Sequence, residues 1–295
     1  MACTIHPADP TRPDFVGEVT GIDLARAVNG EEVAAIVAGM DRFAVLVFRG
    51  QRIDDGQQLA FTRHFGPIER ASGDIVQGVA RRLADEINDI SNLDRDNKVR
   101  ALDDRARLFG LGNMLWHSDS SFKPTPAKYS LLSARVIPGA GGNTEFADMR
   151  AAWDALEGAM RAQVRDMVCD HSQIYSRGAL GFEDFTADER AKWAPVPQRL
   201  VRRHPDTGRL SLFLAAHAGA IQGMPMPEAR MLLRDLTEFA TERRFVHAHV
   251  WQQSDLVMWD NRVTMHRARR FPAEQVRDMH RTTVEDFAPT LQQAA

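Results

Sequence analysis

Cysteine is nearly absent. Cys3 and Cys169 are the only two in the chain, neither belongs to a Cys-x-x-Cys pair, and two cannot build a disulfide framework. That excludes a disulfide-stapled secreted scaffold and a thiolate metal centre, and it suits a reducing compartment. No apolar run approaches the roughly 20 residues that a membrane-spanning helix needs. Met1–Asp14 lacks the apolar stretch between a basic start and a small-residue cleavage site that marks a secretory signal. Excess positive charge is missing as well. The formal net charge is −3, so nothing in bulk points to nucleic acid and any cationic site must be local. Internal repeats, low-complexity tracts and a Gly-rich phosphate loop are also absent. These absences lead to the expectation of a cytoplasmic enzyme or small-molecule binding protein, with neither a membrane nor a nucleic acid as partner.

What is present is an ordinary globular composition, 44% apolar and 26% charged over 295 residues, enough to bury one sizeable core. Glu18–Leu24 reads as a short strand, Glu31–Met40 as a helix, and Phe43–Phe48 as a buried strand. Asp55–Phe65 has helical spacing with Asp54 or Asp55 as N-cap. Glu86–Leu93 reads as a strand, and the charged stretch Asp94 to Arg107, with no core face, as a surface loop. The whole of 67–112 is expected to be an active-site loop or lid. Further on, Lys128–Val136, Thr144–Ala147, Leu200–Arg203, Leu210–Ala215, Phe245–Trp251, Asp255–Trp259 and Arg281–Asp286 read as strands. Ala151–Met167 and Pro227–Arg243 read as amphipathic helices. Short strands without strand–helix alternation predict a single domain over 1–295, mainly β with helical insertions, built as a sandwich or barrel.

One cluster of residue types carries chemistry. Trp116-His117-Ser118-Asp119 is a His-x-Asp on an extended segment, and a period of two puts both side chains on one face. A distant third donor, His266 in Trp259–Arg267, would complete two histidines and a carboxylate. That set holds one face of an octahedral iron and leaves three positions for other ligands. His-x-Asp alone is a weak signal, because it arises by chance in many chains. His247 and His249 form a rival His-x-His pair, but no carboxylate accompanies them at ligand spacing, and they are read as structural.

The context makes the signal specific. Thr144 stands 25 positions beyond Asp119, and Arg277 stands 11 beyond His266. Together with Val45–Gln51, Ala60–Glu69, Leu115–Phe122, Gly141–Ala152 and Leu256–His266, these residues resemble the taurine dioxygenase family, and within it the herbicide-degrading members. The resemblance runs from about residue 18 to 284. It implies a double-stranded β-helix (jelly-roll) core, iron(II) on His117, Asp119 and His266, and 2-oxoglutarate clamped by Thr144 and Arg277. It also implies dioxygen as co-substrate, ascorbate as an activator in vitro, and a homo-oligomer. Arg281, four residues after Arg277, is implied to grip the carboxylate of a small anionic substrate, and Lys98, His204 and His217 to contact it.

Two positions depart from the herbicide-degrading pattern. Ala220 stands where those members carry a histidine, and one of their lysines, in the stretch after Gly66–Glu69, has no clear counterpart. The resulting expectation is hydroxylation of an aryloxyacetate such as 2,4-dichlorophenoxyacetate. Two alternatives stay open: a taurine, alkylsulfonate or other organic-acid dioxygenase, and a non-catalytic jelly-roll protein that binds a metal and an acid. The pair Thr144 and Arg277 argues against the last, since a mere binder needs no co-substrate clamp.

Overall fold

The structure is a computed structural model that describes residues 3–71 and 81–293. Its frame is a seven-stranded sheet in the order Thr4–Pro7, Val16–Thr20, Val45–Phe48, Leu256–Asp260, Ala127–Val136, Asp278–Glu285 and Asn88–Asp89. All neighbours are antiparallel except Val16–Thr20 beside Val45–Phe48. A three-stranded sheet, Val246–His249, Thr144–Asp148 and Thr264–Ala268, faces it.

Alternation along the strands builds the layers. Val45, Val47, Leu132, Val257, Trp259 and Met279 project from the large sheet toward Phe146 of the small one and form one core. Leu46, Phe48, Leu131 and Met258, on the opposite face, pack under the helices Gly30–Phe43 and Asp55–Arg63 through Ile36, Met40, Phe43 and Phe61. On the far side of the small sheet, Ala147 and Met265 meet Trp153, Leu233 and Leu236 of the helices Met149–Ala155 and Met226–Ala240. Two more small sheets complete this outer layer: Ala218–Ile221, Val168–His171 and Val196–Arg199 in one, Leu210–Leu212 with Val201–Arg203 in the other. Both first-layer helices start with reciprocal caps, Asn29 with Glu32 and Asp54 with Gln57, which satisfy the otherwise orphaned N-terminal amides.

Most predicted elements are found within a few residues of their expected limits, and the exceptions have physical causes. Glu18–Leu24 is a strand only over Val16–Thr20, because Gly21 turns the chain with positive φ. The single helix expected over Ala151–Met167 is two, Met149–Ala155 and Gly158–Val164. Leu156 is extended between them, yet Trp153, Leu156 and Val164 all enter one core, so their spacing carries no sign of the break.

The strand expected over Glu86–Leu93 shrinks to Asn88–Asp89 at the sheet edge, and the helix Arg105–Gly110 begins inside the stretch expected to be loop. Within the expected lid, residues 72–80 lie outside the described residues. Among the described residues, no helix is long and apolar enough to cross a membrane.

Candidate active site

The small sheet delivers the metal-donor candidates. His117 and His266 are direct cross-strand partners: His117 N donates to His266 O at 3.0 Å, and His266 N donates to His117 O at 2.8 Å. Their rings consequently lie 4.2 Å apart. Ser118 turns the other way and donates to Thr264 O at 2.9 Å, which leaves Asp119 on the same side as His117. Backbone pairing thus brings together two histidines far apart in the chain.

The donor chemistry fits a divalent metal. His117 Nε2 lies 3.8 Å from Asp119 Oδ1, His266 Nε2 lies 3.7 Å from Asp119 Oδ2, and one donor atom from each of the three lies within 4.8 Å of the others. His117 Nδ1 is 2.7 Å from Leu115 O, which can only accept, so Nδ1 carries the proton and Nε2 the free lone pair. Burial holds both imidazoles below the ordinary histidine range, neutral at physiological pH as a ligand must be. Burial acts upward on Asp119, but the Arg281 guanidinium and the two histidines outweigh it and hold the carboxyl at about 2.

A polar frame aims that carboxylate. Ser130 Oγ donates to Asp119 Oδ2 at 2.7 Å and accepts from Asn261 Nδ2 at 2.9 Å. Asn261 Oδ1 accepts from Asp119 N and from Trp259 Nε1, each at 3.0 Å. Neither Ser130 nor Asn261 is legible as functional in the sequence. Ser130 is one polar residue in an apolar strand, and Asn261 is overshadowed by His266 five residues on. A polar residue inside an apolar strand, for Ser130, and directly after one, for Asn261, was the available signal.

His117 and Asp119 line a cavity of about 610 Å³, within the usual range for small-molecule sites. A recess of about 30 Å³ beside it is lined by His117, His266, Thr144, Arg277, Arg281 and Trp259, among others. Thr144 Oγ1 accepts from Trp251 Nε1 at 3.0 Å, which leaves its proton to donate. Arg277 is 4% exposed and has no carboxylate partner among the described residues. One terminal nitrogen donates to Ile90 O at 3.1 Å and the other has no partner. Burial alone pulls this guanidinium down to about 10. Arg281 lines the same recess, bonds Asp119 Oδ1 through one nitrogen and leaves Nε without a partner. Arg277, just before the strand Asp278–Glu285, and Arg281 within it both line this recess and the larger cavity.

The other predicted contacts divide. His217 lines the cavity, edge-on to Phe122 at 5.0 Å and to His117 at 5.9 Å. His204 is absent from the cavity wall. It is buried between Asp260 Oδ2 at 3.2 Å and Arg262 at 2.8 Å, a closed ion cluster that claims its ring. Asp41 and Asp206 lie within donor distance of His204, but the fixed charge of Arg262 opposes a second cation there. Lys98 is exposed and outside the lining, because the turn that its own amide closes onto Asp94 Oδ1 at 2.9 Å carries it to the surface. Its chain neighbours are less mobile than a free surface loop implies. Arg82 joins Asp89 at 2.7 Å to Asp278 at 2.5 Å, and Asn92 Oδ1 accepts from Arg277 N at 2.9 Å. The rival pair separates, with His249 3.2 Å from Asp255 and His247 3.7 Å from Asp9.

This geometry has relatives. A 2,4-dichlorophenoxyacetate dioxygenase dependent on alpha-ketoglutarate, from Cupriavidus pinatubonensis, is 44% identical over 281 residues, 95% of this chain and 98% of that protein. A (S)-phenoxypropionate/alpha-ketoglutarate dioxygenase of Delftia acidovorans is 39% identical over 88% of each chain. Among solved structures, AAD-2 in complex with Mn(II) and N-oxalylglycine superposes with a TM-score of 0.95 at 52% identity, covering 98% of this chain and all of that one. Residues 5–283 match the family described as taurine catabolism dioxygenase TauD, TfdA, and the chain belongs to that family.

Proposed function

We propose that this protein is an iron(II)- and 2-oxoglutarate-dependent dioxygenase that hydroxylates aryloxyacetates such as 2,4-dichlorophenoxyacetate. The observation that carries the reading is a His–His–carboxylate set beside the buried Arg277, which lacks a carboxylate partner among the described residues, and Arg281, all lining one cavity and its adjoining recess. His117, Asp119 and His266 hold the metal. Bound iron(II) supplies the redox chemistry that couples dioxygen to decarboxylation of 2-oxoglutarate and to oxidation of a substrate C–H bond.

The chain's own residues orient and select. Arg277 and the Thr144 hydroxyl take the far carboxylate of 2-oxoglutarate, where a planar fork and one more donor match the acceptor geometry. Arg281 and His217 face the substrate, with Arg281 on its carboxylate. One oxygen atom goes to succinate, with release of carbon dioxide. The other goes to the ether methylene, and the resulting hemiacetal collapses to a phenol and glyoxylate. The same reading takes the two facing sheets as a double-stranded β-helix, residues 67–112 as the lid, and the working form as a cytoplasmic homo-oligomer, which light scattering on the eluted protein tests.

The functional test is succinate formation by the purified protein with iron(II), ascorbate and 2-oxoglutarate, with and without 2,4-dichlorophenoxyacetate. Strong stimulation with release of the phenol supports the reading. Succinate formation that taurine or alkylsulfonates stimulate and the herbicide does not would replace the substrate class, and no consumption of 2-oxoglutarate with any acid would leave a binding protein.

A further inference from the structure

Five arginines are buried among the described residues: Arg150, Arg177, Arg202, Arg262 and Arg277. Three of them face a carboxylate, Arg150 with Asp148 at 3.0 Å, Arg202 with Asp286 at 2.5 Å and Arg262 with Asp260 at 2.6 Å. This is the usual requirement for a charge withdrawn from water. Arg177 and Arg277 have no such partner among the described residues, and both line the same cavity. The proposed function gives Arg277 an anion, the far carboxylate of 2-oxoglutarate. It gives Arg177 none.

Arg177 is held in place for contact with a ligand. It is 5% exposed and lies on the short helix Gln173–Gly178. One terminal nitrogen donates to Ser176 Oγ at 3.0 Å, the other reaches Asn113 Oδ1 at 3.5 Å, and Nε has no partner. The guanidinium lies 4.5 Å from the centroid of the Phe109 ring. Gly112 makes room for it, since a Cβ there would fall 2.5 Å from Arg177 Cζ. Arg177 and Arg281 line the same cavity wall as His117 and Asp119. With Arg281 already bonded to Asp119 and Arg277 assigned to 2-oxoglutarate, Arg177 is a buried cavity cation with no carboxylate partner among the described residues.

We propose that Arg177 is a specificity-determining residue that binds the substrate carboxylate together with Arg281, so that the cavity selects acids by a pair of arginines. This rests on the aryloxyacetate reading, because the carboxylate is the one anionic group such a substrate offers.

The test is calorimetric titration of protein loaded with manganese(II) and N-oxalylglycine, so that nothing turns over. The two probes are 2,4-dichlorophenoxyacetate and its neutral amide. Wild-type protein is expected to bind the acid at least about tenfold more tightly than the amide, the scale of one charge-assisted hydrogen bond. In Arg177→Met the acid weakens by a similar factor, the amide is unchanged, and Arg177→Lys recovers part of the preference. The melting temperature of Arg177→Met holds or rises, since an uncompensated buried charge is removed, whereas an arginine serving only the fold would leave it lower.

Gly112→Ala supplies a variant with the charge retained and the guanidinium displaced, and it too is expected to lose acid preference. Undiminished acid preference in Arg177→Met, or equal weakening of acid and amide, overturns the assignment while the substrate reading stands. Wild-type protein with no preference for the acid overturns the substrate reading, and the role of Arg177 with it.

Discussion

Two buried clusters in this protein are made of the same three kinds of side chain, and they behave differently. In the first, Asp260, Arg262 and His204 close on one another. Arg262 forks onto both oxygens of Asp260 at 2.9 and 2.6 Å, and His204 lies against both residues. In the second, His117, Asp119, His266, Arg277 and Arg281 surround a cavity and stay partly open. His266 Nδ1, one terminal nitrogen of Arg277 and Arg281 Nε are buried without partners. Satisfied polar groups rigidify a core, and open ones at a cavity wait for a ligand. Between these two clusters the difference lies in hydrogen-bond completion, not in composition.

The strongest way to break this comparison is to remove a donor from the open cluster. Asp119→Ala is expected to abolish 2-oxoglutarate turnover and to weaken iron(II) binding at least about a hundredfold, since even outer contacts to metal ligands are worth 10–100-fold. Competition against a chelator reads the affinity, and near-normal iron binding would remove Asp119 from the metal set. The matching change in the closed cluster, Asp260→Asn, acts on folding. It leaves Arg262 buried beside a neutral group and is expected to destabilise by about 3–5 kcal/mol in urea unfolding. A loss under about 1 kcal/mol would contradict the idea that this cluster serves the fold.

Arg277→Met sharpens the contrast, because a buried arginine is removed without breaking an ion pair. The KM for 2-oxoglutarate is expected to rise by about 10- to 100-fold, the worth of a charge-assisted pair, while the melting temperature does not fall. A lower melting point with unchanged KM would make Arg277 a structural residue. Ser130→Ala leaves the donors intact and frees the Asp119 carboxylate to turn, so iron affinity should weaken by about tenfold with the fold retained.

The smallest effect concerns His280, on the outer face of the strand that carries Arg281. Burial acts downward on this ring, but Asp278 and Asp55 outweigh it and raise its pKa, with Nδ1 donating to Asp55 Oδ1 at 2.6 Å. The folded-state pKa lies above the unfolded value of about 6.5, so this contribution is complete below that pH and fades as pH rises through the folded value. Unfolding free energies of wild type and His280→Gln should therefore converge on going from pH 6 to pH 9. Parallel curves would exclude this linkage.

How much of this was legible in advance differs by feature. His117 and Asp119 could be read because a period of two puts neighbours-but-one on one face, whereas Arg277 and Arg281 were picked out by the resemblance. The buried strands Val45–Phe48 and Leu256–Asp260 announced themselves by continuous apolar, β-branched and aromatic character. The break between the helices Met149–Ala155 and Gly158–Val164 left no periodic trace, because both halves feed one core. Lys98 and His204 were placed at the site by resemblance alone, and their local partners took them elsewhere, Asp94 by closing a turn and Asp260 by closing an ion cluster. Arg177, Ser130 and Asn261 were hidden for a related reason, since a buried polar residue looks the same in sequence whether its partner is protein or ligand.

By itself the sequence determined the residue types of the metal set, the faces on which local spacing puts them, and the largely apolar strands that carry them. Those properties depend on neighbours a few positions apart, where backbone geometry is the governing physics. Only the tertiary structure decided that His266 hydrogen-bonds directly across from His117, that Ser130 and Asn261 aim Asp119, and that Arg177 and Arg277 lie at the cavity without carboxylate partners among the described residues. These facts depend on which groups meet across long chain separations, and on which hydrogen bonds remain unmade when they do.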